Sequence, residues 1–526
     1  MRVTGRPLLW LVWDGASHAV VHSLLARGEL PALASVVRRG GLAATRPPEP
    51  NCQTPTSLAS LFTGTAPERH GVLGFSMPSP DRRRPFTAAR SAFSPDVLRV
   101  APVWEEVTAA GNRVALVHAP WAGTAAAFRC DAYPRPVGGP TAVEGTATTF
   151  AVGDAEVDVA VDGDEVTVTG PTATTTSSVG NLPFEHAVDV RLGAGLGCRV
   201  TAWRRADDGR VVVGHPGAWQ VEVSTCTADF EAATGPFVGR SLSDEYRAGT
   251  LGLPAFEGGS GHAERALAAS LVEQARSFAR ASSFALRHAG GLNFAVAYQP
   301  VVDEANHEVF RHWVRGDCPD ADRVLVAAYR AADDHLAALL AVIGTHWRVV
   351  VSSDHGAVPV DRAYHPNETL RQAGLLSFTA EGAVEPSASL VAYHPCRNGS
   401  VLVNGRGRAD GLVDEADRAD VIARAAAALR AAVDPVTGHP VVAELLPGDG
   451  RRGDDLFLVT VDGYDVRADA GPEFGPTRKG GVHVTASDSH WLRGILADTE
   501  PTAWPDEVVP NEAVLDRLLP DVAMIG

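Results

Sequence analysis

Leu8-Leu9-Trp10-Leu11-Val12-Trp13-Asp14-Gly15 opens the chain, and its reading decides the fold. Six apolar residues in a row, stopped at once by an Asp-Gly turn signal, are short for a helix and read as a strand buried on both faces. Helical periodicity follows over 16–26 and 32–38. The order then repeats. A helical stretch at Val103–Ala109, closed by Gly111-Asn112, leads to an apolar strand at 114–118. Helical sequence at 262–288 leads to a strand at 293–298, and helical sequence at 324–343 leads to a strand at 348–352. Strands alternating with helices predict an α/β fold: a largely parallel central sheet with helices on both faces.

Two stretches interrupt this rhythm. Over 150–254 the texture changes to alternating Val, Thr and Asp, as in Val157-Asp158-Val159-Ala160-Val161, with hairpin signals at Asp162-Gly163 and Asp208-Gly209. Over 380–470 short strands such as Ser400–Val403 flank an Ala-rich helix at 417–432, and a Pro/Gly/Asp stretch covers 447–454. The expected organisation is a core of residues 1–148, 258–380 and 470–526, a β-rich insertion at 149–257, and a smaller α+β insertion at 381–469 placed like a cap.

At 526 residues the chain can bury a large core, and 45% hydrophobic and 21% charged residues are ordinary for a globular enzyme. The formal net charge of −17 argues against binding of a nucleic-acid polymer, which needs a basic surface to displace counterions, and none is expected. A small phosphorylated substrate stays open, because bound divalent cations can dominate the local field of an acidic protein. The six cysteines, Cys52, Cys130, Cys198, Cys226, Cys318 and Cys396, stand singly, which argues against a disulfide framework and against thiolate metal sites. The apolar run before Asp14 is too short for a signal peptide or a membrane span, so no membrane partner and a cytoplasmic location are expected.

The chemistry lies just past the strands. Asp14, Asp303 and Asp354 each follow an apolar strand, and in an open α/β sheet such positions converge beyond the carboxyl ends of the strands although the residues are far apart in sequence. Two of them bring a histidine, as Asp303-Glu-Ala-Asn-His307 and as Asp354-His355. Carboxylate oxygen with imidazole nitrogen suits zinc, with manganese as the alternative, while calcium or magnesium favours oxygen alone. Thr54-Pro55 reads as an N-cap followed by the first helical residue, which sets a hydroxyl at the positive end of a helix. A threonine hydroxyl becomes an effective nucleophile only when a neighbouring metal lowers its pKa.

These residues resemble the alkaline phosphatase superfamily, and within it the type I phosphodiesterase/nucleotide pyrophosphatase family. The stretch from Thr54 through Phe62-Thr63-Gly64-Thr65-Ala66-Pro67-Glu68-Arg69-His70-Gly71-Val72 is similar to that family's nucleophile helix and its Thr-Gly-x-x-Pro-x-x-His-Gly tail. Asp303-x-x-x-His307 and Asp354-His355-Gly356 resemble its metal motifs, in the same order. The resemblance covers about residues 5–125 and 290–500. It implies two divalent metals, one held by Asp303, His307 and a late histidine, the other by Asp14, Asp354, His355 and the Thr54 oxygen. The late histidine is expected to be His490, which precedes Gly494-Ile495-Leu496, with His483 as the alternative. Hydrolysis of a phosphate ester through a phosphothreonine on Thr54 is the activity implied.

Three departures narrow this. Sulfatases of the superfamily carry cysteine where this chain has Thr54. Cys52 is two residues early and Leu58 replaces the expected arginine, which disfavours a sulfatase. Nucleotide pyrophosphatases place an asparagine five residues after the histidine of His-Gly, where this chain has Phe75. The rivals are a phosphonate (C–P) hydrolase, a phosphomutase, which would carry serine in place of Thr54, and a non-catalytic binding protein of the same fold. His18, Trp121, Arg82 to Arg84 and His365 read as ordinary packing or solvated turns.

Overall fold

The computed structural model describes residues 6–94, 96–123, 126–131, 136–393, 399–448, 454–500 and 508–519. The chain divides into two compact units: residues 1–44, 104–353 and 495–507 form the first, and residues 45–103, 354–494 and 508–526 the second.

The first unit is built on β1 (Leu8–Trp13), β2 (Gly41–Arg46, whose last two residues fall in the second unit), β3 (Val114–Val117), β4 (Phe128–Asp131), β5 (Glu222–Val223), β6 (Phe294–Gln299), β7 (Arg348–Ser352) and β8 (Gly494–Asp498). Their order across the sheet is β5-β4-β3-β6-β1-β7-β8-β2. Strands β4, β3, β6, β1 and β7 run parallel, while β5 is antiparallel to β4 and β8 is antiparallel to β7. The expected α/β class with a largely parallel sheet is borne out.

Every residue of β1 is buried, as its unbroken apolar run requires. Removing Trp10 or Trp13 from water contributes on the order of 1.5–3 kcal/mol each. The indole of Trp10 donates to the Ser352 hydroxyl at 2.8 Å, so its one polar atom is satisfied inside the core. Register matters most here. Trp13 is opposite Gln299 on β6, and Val12 is opposite Ser352 on β7, so three neighbouring parallel strands end at one level.

Long helices cover this sheet. Helix α1 (His262–His288) packs along β3, β4 and β6, and α2 (Val301–Arg315) leaves β6 after a single proline. Helix α3 (Pro319–Ile343) packs on both. The helix Pro31–Arg39 begins with two backbone N–H groups, Ala32 and Leu33, held by the Asp333 carboxylate at 2.9 and 2.7 Å.

The stretch between β4 and α1 departs from expectation at both ends. Strands begin at Pro136 and continue to Val223, with a four-stranded sheet over Ala147–Ser178 and a six-stranded sheet beside it in sequence; two helices, Thr227–Thr234 and Ser243–Ala248, then take over. Each is so short that it buries few side chains, chiefly Phe230 and Tyr246, and leaves little helical period to read. The two hairpin signals are borne out: Asp162 pairs with Glu165 and Arg204 with Val211 around Gly163 (φ 60°) and Gly209 (φ 72°).

In the second unit, the helix Thr54–Thr63 is buried along its whole length. It ends at Gly64 in the left-handed region (φ 62°), whose N–H returns to Ser60 O at 3.0 Å. The strand Val358–Tyr364 pairs with Gly463–Val466, Phe474–Pro476 and Gly481–Val482. A four-stranded antiparallel sheet (Val391–Tyr393, Ser400–Val403, Leu456–Thr460, Val442–Pro447) packs with the helix Arg418–Arg430 around Tyr364, Tyr393, Val401 and Leu429. Most of the Pro/Gly/Asp stretch near residue 450, and Cys396, lie outside the described residues; the other five cysteines are free thiols.

Among the described residues no single helix is long and apolar enough to cross a membrane. The apolar pair His18–Ala26 and Pro31–Arg39 is bent by 100° at its break and buries Val20, Val21, Leu24, Leu33 and Val36.

Candidate functional site

In the first unit Asp14 follows β1 directly, and its backbone N–H is held by Gln299 O at 2.9 Å. Its buried carboxylate accepts a hydrogen bond from the Tyr298 hydroxyl. The next residue explains why the turn is Asp-Gly. Gly15 has φ 71°, and a Cβ on it would stand 2.8 Å from both Cα and Cβ of Asp303, so any side chain would push the two aspartates apart. Asn306 donates to Gly15 O at 2.8 Å and pins the same approach.

Asp303 lies in the first turn of α2 rather than in a loop after the strand, and His307 is one turn on, its Nε2 3.3 Å from Asp303 Oδ2. The i, i+4 spacing puts both side chains on one helix face. The first unit thus brings together Asp14, Asp303 and His307.

The second unit assembles the remainder. Gln53, not Thr54, is the N-cap; Thr54 is the first helical residue and Pro55 the second. The expectation was one residue late, because a proline is tolerated anywhere in the first turn, where no N–H is needed for an intrahelical bond. Thr54 is buried, and its Oγ1 is 3.2 Å from His355 Nε2. Asp354 and His355 are both fully buried. Asp354 O accepts from the Asn511 amide at 2.6 Å, which holds the turn that carries them.

His355 has a readable tautomer. Its Nδ1 is 2.8 Å from Gly356 O, and a carbonyl can only accept, so Nδ1 carries the proton and Nε2 presents its lone pair. That lone pair faces Asp354 Oδ2 at 3.2 Å as well as the Thr54 hydroxyl. A lone pair set against a carboxylate oxygen is repulsive unless a proton or a cation lies between them. The donors, carboxylate, imidazole and hydroxyl, are the set that zinc or manganese takes, so the residues fit a metal. Gly356 is required for another reason. A Cβ there would stand 2.1 Å from Trp491 O, inside the backbone of the neighbouring segment.

The two late histidines separate clearly. His490 is exposed, with its ring against Trp491. His483 is buried and stacks on His355, ring centroids 3.7 Å apart at 13°. The structure therefore brings His483 into the group and leaves His490 outside it. The reason is backbone pairing: Asn51 bridges Thr485, Cys52 N–H donates to Val484 O at 3.2 Å, and the Cys52 thiol to His483 O at 3.4 Å. His483 is thereby tied to the segment that enters the Thr54 helix.

Cys52 is not itself a nucleophile. Burial, reinforced by the Asp354 charge, pushes its thiol far up, so no thiolate forms at neutral pH. The His-Gly tail is a brace. Val72 N–H donates to His70 Nδ1 at 3.1 Å, so the proton sits on Nε2, 3.1 Å from Ser60 Oγ in the helix. Burial, with Arg99 nearby, lowers the His70 pKa to about 3 and keeps it neutral. Phe75 donates its N–H to Gln53 Oε1 at 3.3 Å, while its ring is 42% exposed and meets Phe93 edge-on at 6.1 Å.

Sequence reading missed Tyr298 and Gln53. Tyr298 ends the strand that leads to Asp303, and a polar tip on an otherwise apolar strand was the available signal. Gln53 offered none, since its role depends on the return of residue 75.

The family model of type I phosphodiesterase / nucleotide pyrophosphatase matches residues 8–486. Among solved structures, phosphonoacetate hydrolase from Sinorhizobium meliloti 1021, in complexes with phosphonoformate and with phosphonoacetate, is similar at 15% identity and TM-score 0.51, over 98% of this chain and 96% of that one. Human ectonucleotide pyrophosphatase / phosphodiesterase 5 is similar at 12% identity and TM-score 0.49, over 98% and 95%. No curated protein matches the chain. With the family match spanning nearly the whole length, the chain belongs to the type I phosphodiesterase/nucleotide pyrophosphatase family of the alkaline phosphatase superfamily and is a metal-dependent phosphoric ester hydrolase.

Proposed function

We propose that the chain hydrolyses a small phosphate ester in two steps through a phosphothreonine on Thr54. The observation that carries this reading is the buried Thr54 hydroxyl at a helix start, 3.2 Å from an imidazole nitrogen that presents its lone pair. Asp14 follows Val12 and Asp354 follows Ser352 by the same two residues, on paired neighbouring strands.

In this reading Asp303, His307 and His483 hold one divalent metal, and Asp14, Asp354, His355 and the Thr54 oxygen hold the other; His483 takes the place expected of His490. Zinc is the proposed ion, manganese the alternative. Bound divalent ions supply positive charge that lowers hydroxyl pKa values and neutralises phosphoryl oxygens.

The protein's own groups then divide the work. Thr54 Oγ1 attacks phosphorus in line with the leaving oxygen: the Oγ1–P bond forms as the ester P–O bond breaks, the hydroxyl proton passes to water, and the leaving oxygen takes a proton from water to depart as an alcohol. A water then attacks the phosphothreonine, releasing phosphate and restoring the hydroxyl. Backbone N–H groups at the helix start, Thr54 and Thr56 but not Pro55, face developing negative charge. Tyr298 orients the Asp14 carboxylate, and the Gly356 carbonyl keeps the His355 tautomer.

A second substrate class, phosphonates, is favoured by Phe75. An aromatic ring stands where the family's nucleotide enzymes place an asparagine on a phosphoryl oxygen, so residue 75 offers no side-chain amide to a nucleotide diester. The test is a metal-supplemented screen of phosphomonoesters, phosphodiesters, nucleotides and phosphonates, each run against Thr54→Ala. Turnover confined to the Thr54 protein, with metal content equal in both, is expected. Equal rates in both proteins would remove Thr54 as the nucleophile.

A further inference from the structure

The first unit contains a cleft of ≈ 370 Å³ lined mainly by residues of α1 and α3, none of which is assigned a role above. We propose that this cleft binds a small phosphorylated molecule, with Arg276, Arg280 and Arg287 as the cationic partners of its phosphoryl group and the His335 N–H as the inner donor.

The cations share one face by construction. Arg276, Arg280 and Arg287 are spaced four and seven residues apart on α1, which is one helical stripe, and His288 extends it. The acidic side chain lining the cleft is Asp334, so the walls carry a positive excess on a chain whose net charge is −17. A concave positive surface on an acidic protein concentrates anions locally.

These guanidiniums are also short of internal partners. Glu273 is shared: Arg280 Nη2 is 3.0 Å and Arg276 Nη1 3.9 Å from it, and Arg199 binds the same carboxylate. The Arg280 Nε is buried without a hydrogen-bond partner, and Arg287 stands exposed on the same stripe. A buried donor left unmade costs about 1–3 kcal/mol, which an oxyanion would relieve.

His335 supplies the second, independent indication. It is 1% exposed and lines the cleft. The Gln299 amide N–H donates to its Nδ1 at 3.0 Å, so the proton is on Nε2, and that N–H has no partner among the described residues. Burial lowers the ring's pKa to about 3, so it serves as a neutral donor. Ala275, Ala279 and Phe284 complete the lining with apolar surface suited to a carbon skeleton, and the volume is that of a small-molecule site rather than of a bare ion.

The test titrates inorganic phosphate, with acetate as a parallel arm, into the full metal-replete chain by calorimetry. Arg287→Glu and the double variant Arg276→Ala/Arg287→Ala are compared, each checked for folding by circular dichroism; both positions are exposed, so the fold should hold. A saturable phosphate site weakened at least about tenfold in both variants is expected, the loss that goes with one charged hydrogen bond. Phosphate binding identical in all three proteins would overturn the proposal. Acetate binding as tightly as phosphate would overturn the phosphoryl assignment.

Discussion

Two regions deliver the proposed ligands by different means. Asp14 and Asp303 are carried by the ends of β1 and β6, whose register is set along six paired residues each. His483 and the entrance to the Thr54 helix are carried by two segments joined through one backbone bridge and a few bonds around Cys52. The first arrangement is dictated by strand pairing between buried apolar runs. The second depends on a pairing across more than four hundred residues of chain, between segments with no strand-like pattern of their own. A site on strand ends can thus be inferred from local sequence, whereas a site on bridged loops has to be seen.

This contrast can be broken in several places. The largest effect belongs to Thr54→Ala: kcat should fall at least roughly 10³-fold while metal content is kept, measured by steady-state kinetics beside elemental analysis. A residual rate near that of the parent would leave the helix start without a nucleophile. Next, His483→Ala should lower activity by at least about 100-fold and reduce bound metal, the scale on which even supporting groups of a metal site act. If His483→Ala kept its metal and His490→Ala lost it, the bridged-loop account would be wrong.

Gly356→Ala probes packing between the two segments of the second unit. A Cβ 2.1 Å from Trp491 O forces the backbone to move, and a loss of at least about 2 kcal/mol is expected, seen as a fall in the denaturant midpoint at unchanged slope. An unchanged midpoint would show that the Trp491 segment yields freely.

His70 sharpens the comparison through pH. Its folded pKa of about 3 is below the ordinary 6.5, so the unfolded chain takes up a proton before the folded one does. Stability is therefore full above pH 6.5 and declines as pH falls toward 3, by up to about 1.4 kcal/mol per pH unit for this residue. His70→Asn, which keeps an acceptor for Val72 N–H, should make the stability–pH slope shallower by that amount between pH 6 and 4. The smallest effect is reserved for His490→Ala, within about twofold of the parent rate, as for a surface side chain.

Much of this protein was legible beforehand. The alternation of apolar runs and helical periods predicts the parallel α/β core, because a strand buried on both faces cannot hide its composition. The ordered motifs around Thr54, Asp303 and Asp354 lead to the family that the whole-chain match bears out. Short elements were less legible: the helices at Thr227–Thr234 and Ser243–Ala248 bury too few side chains to print a period, and the start of the Thr54 helix was read one residue late.

What the sequence determined by itself is the set of strand-end carboxylates and their class of chemistry, since buried apolar strands and the turns after them are local properties. What only the tertiary structure decided is which late histidine is buried against His355, why Gly15 and Gly356 tolerate no side chain, and that Tyr298 steadies Asp14. Each of these depends on the close approach of segments far apart in the chain, and close approach is a property of packing that no local pattern of residues encodes.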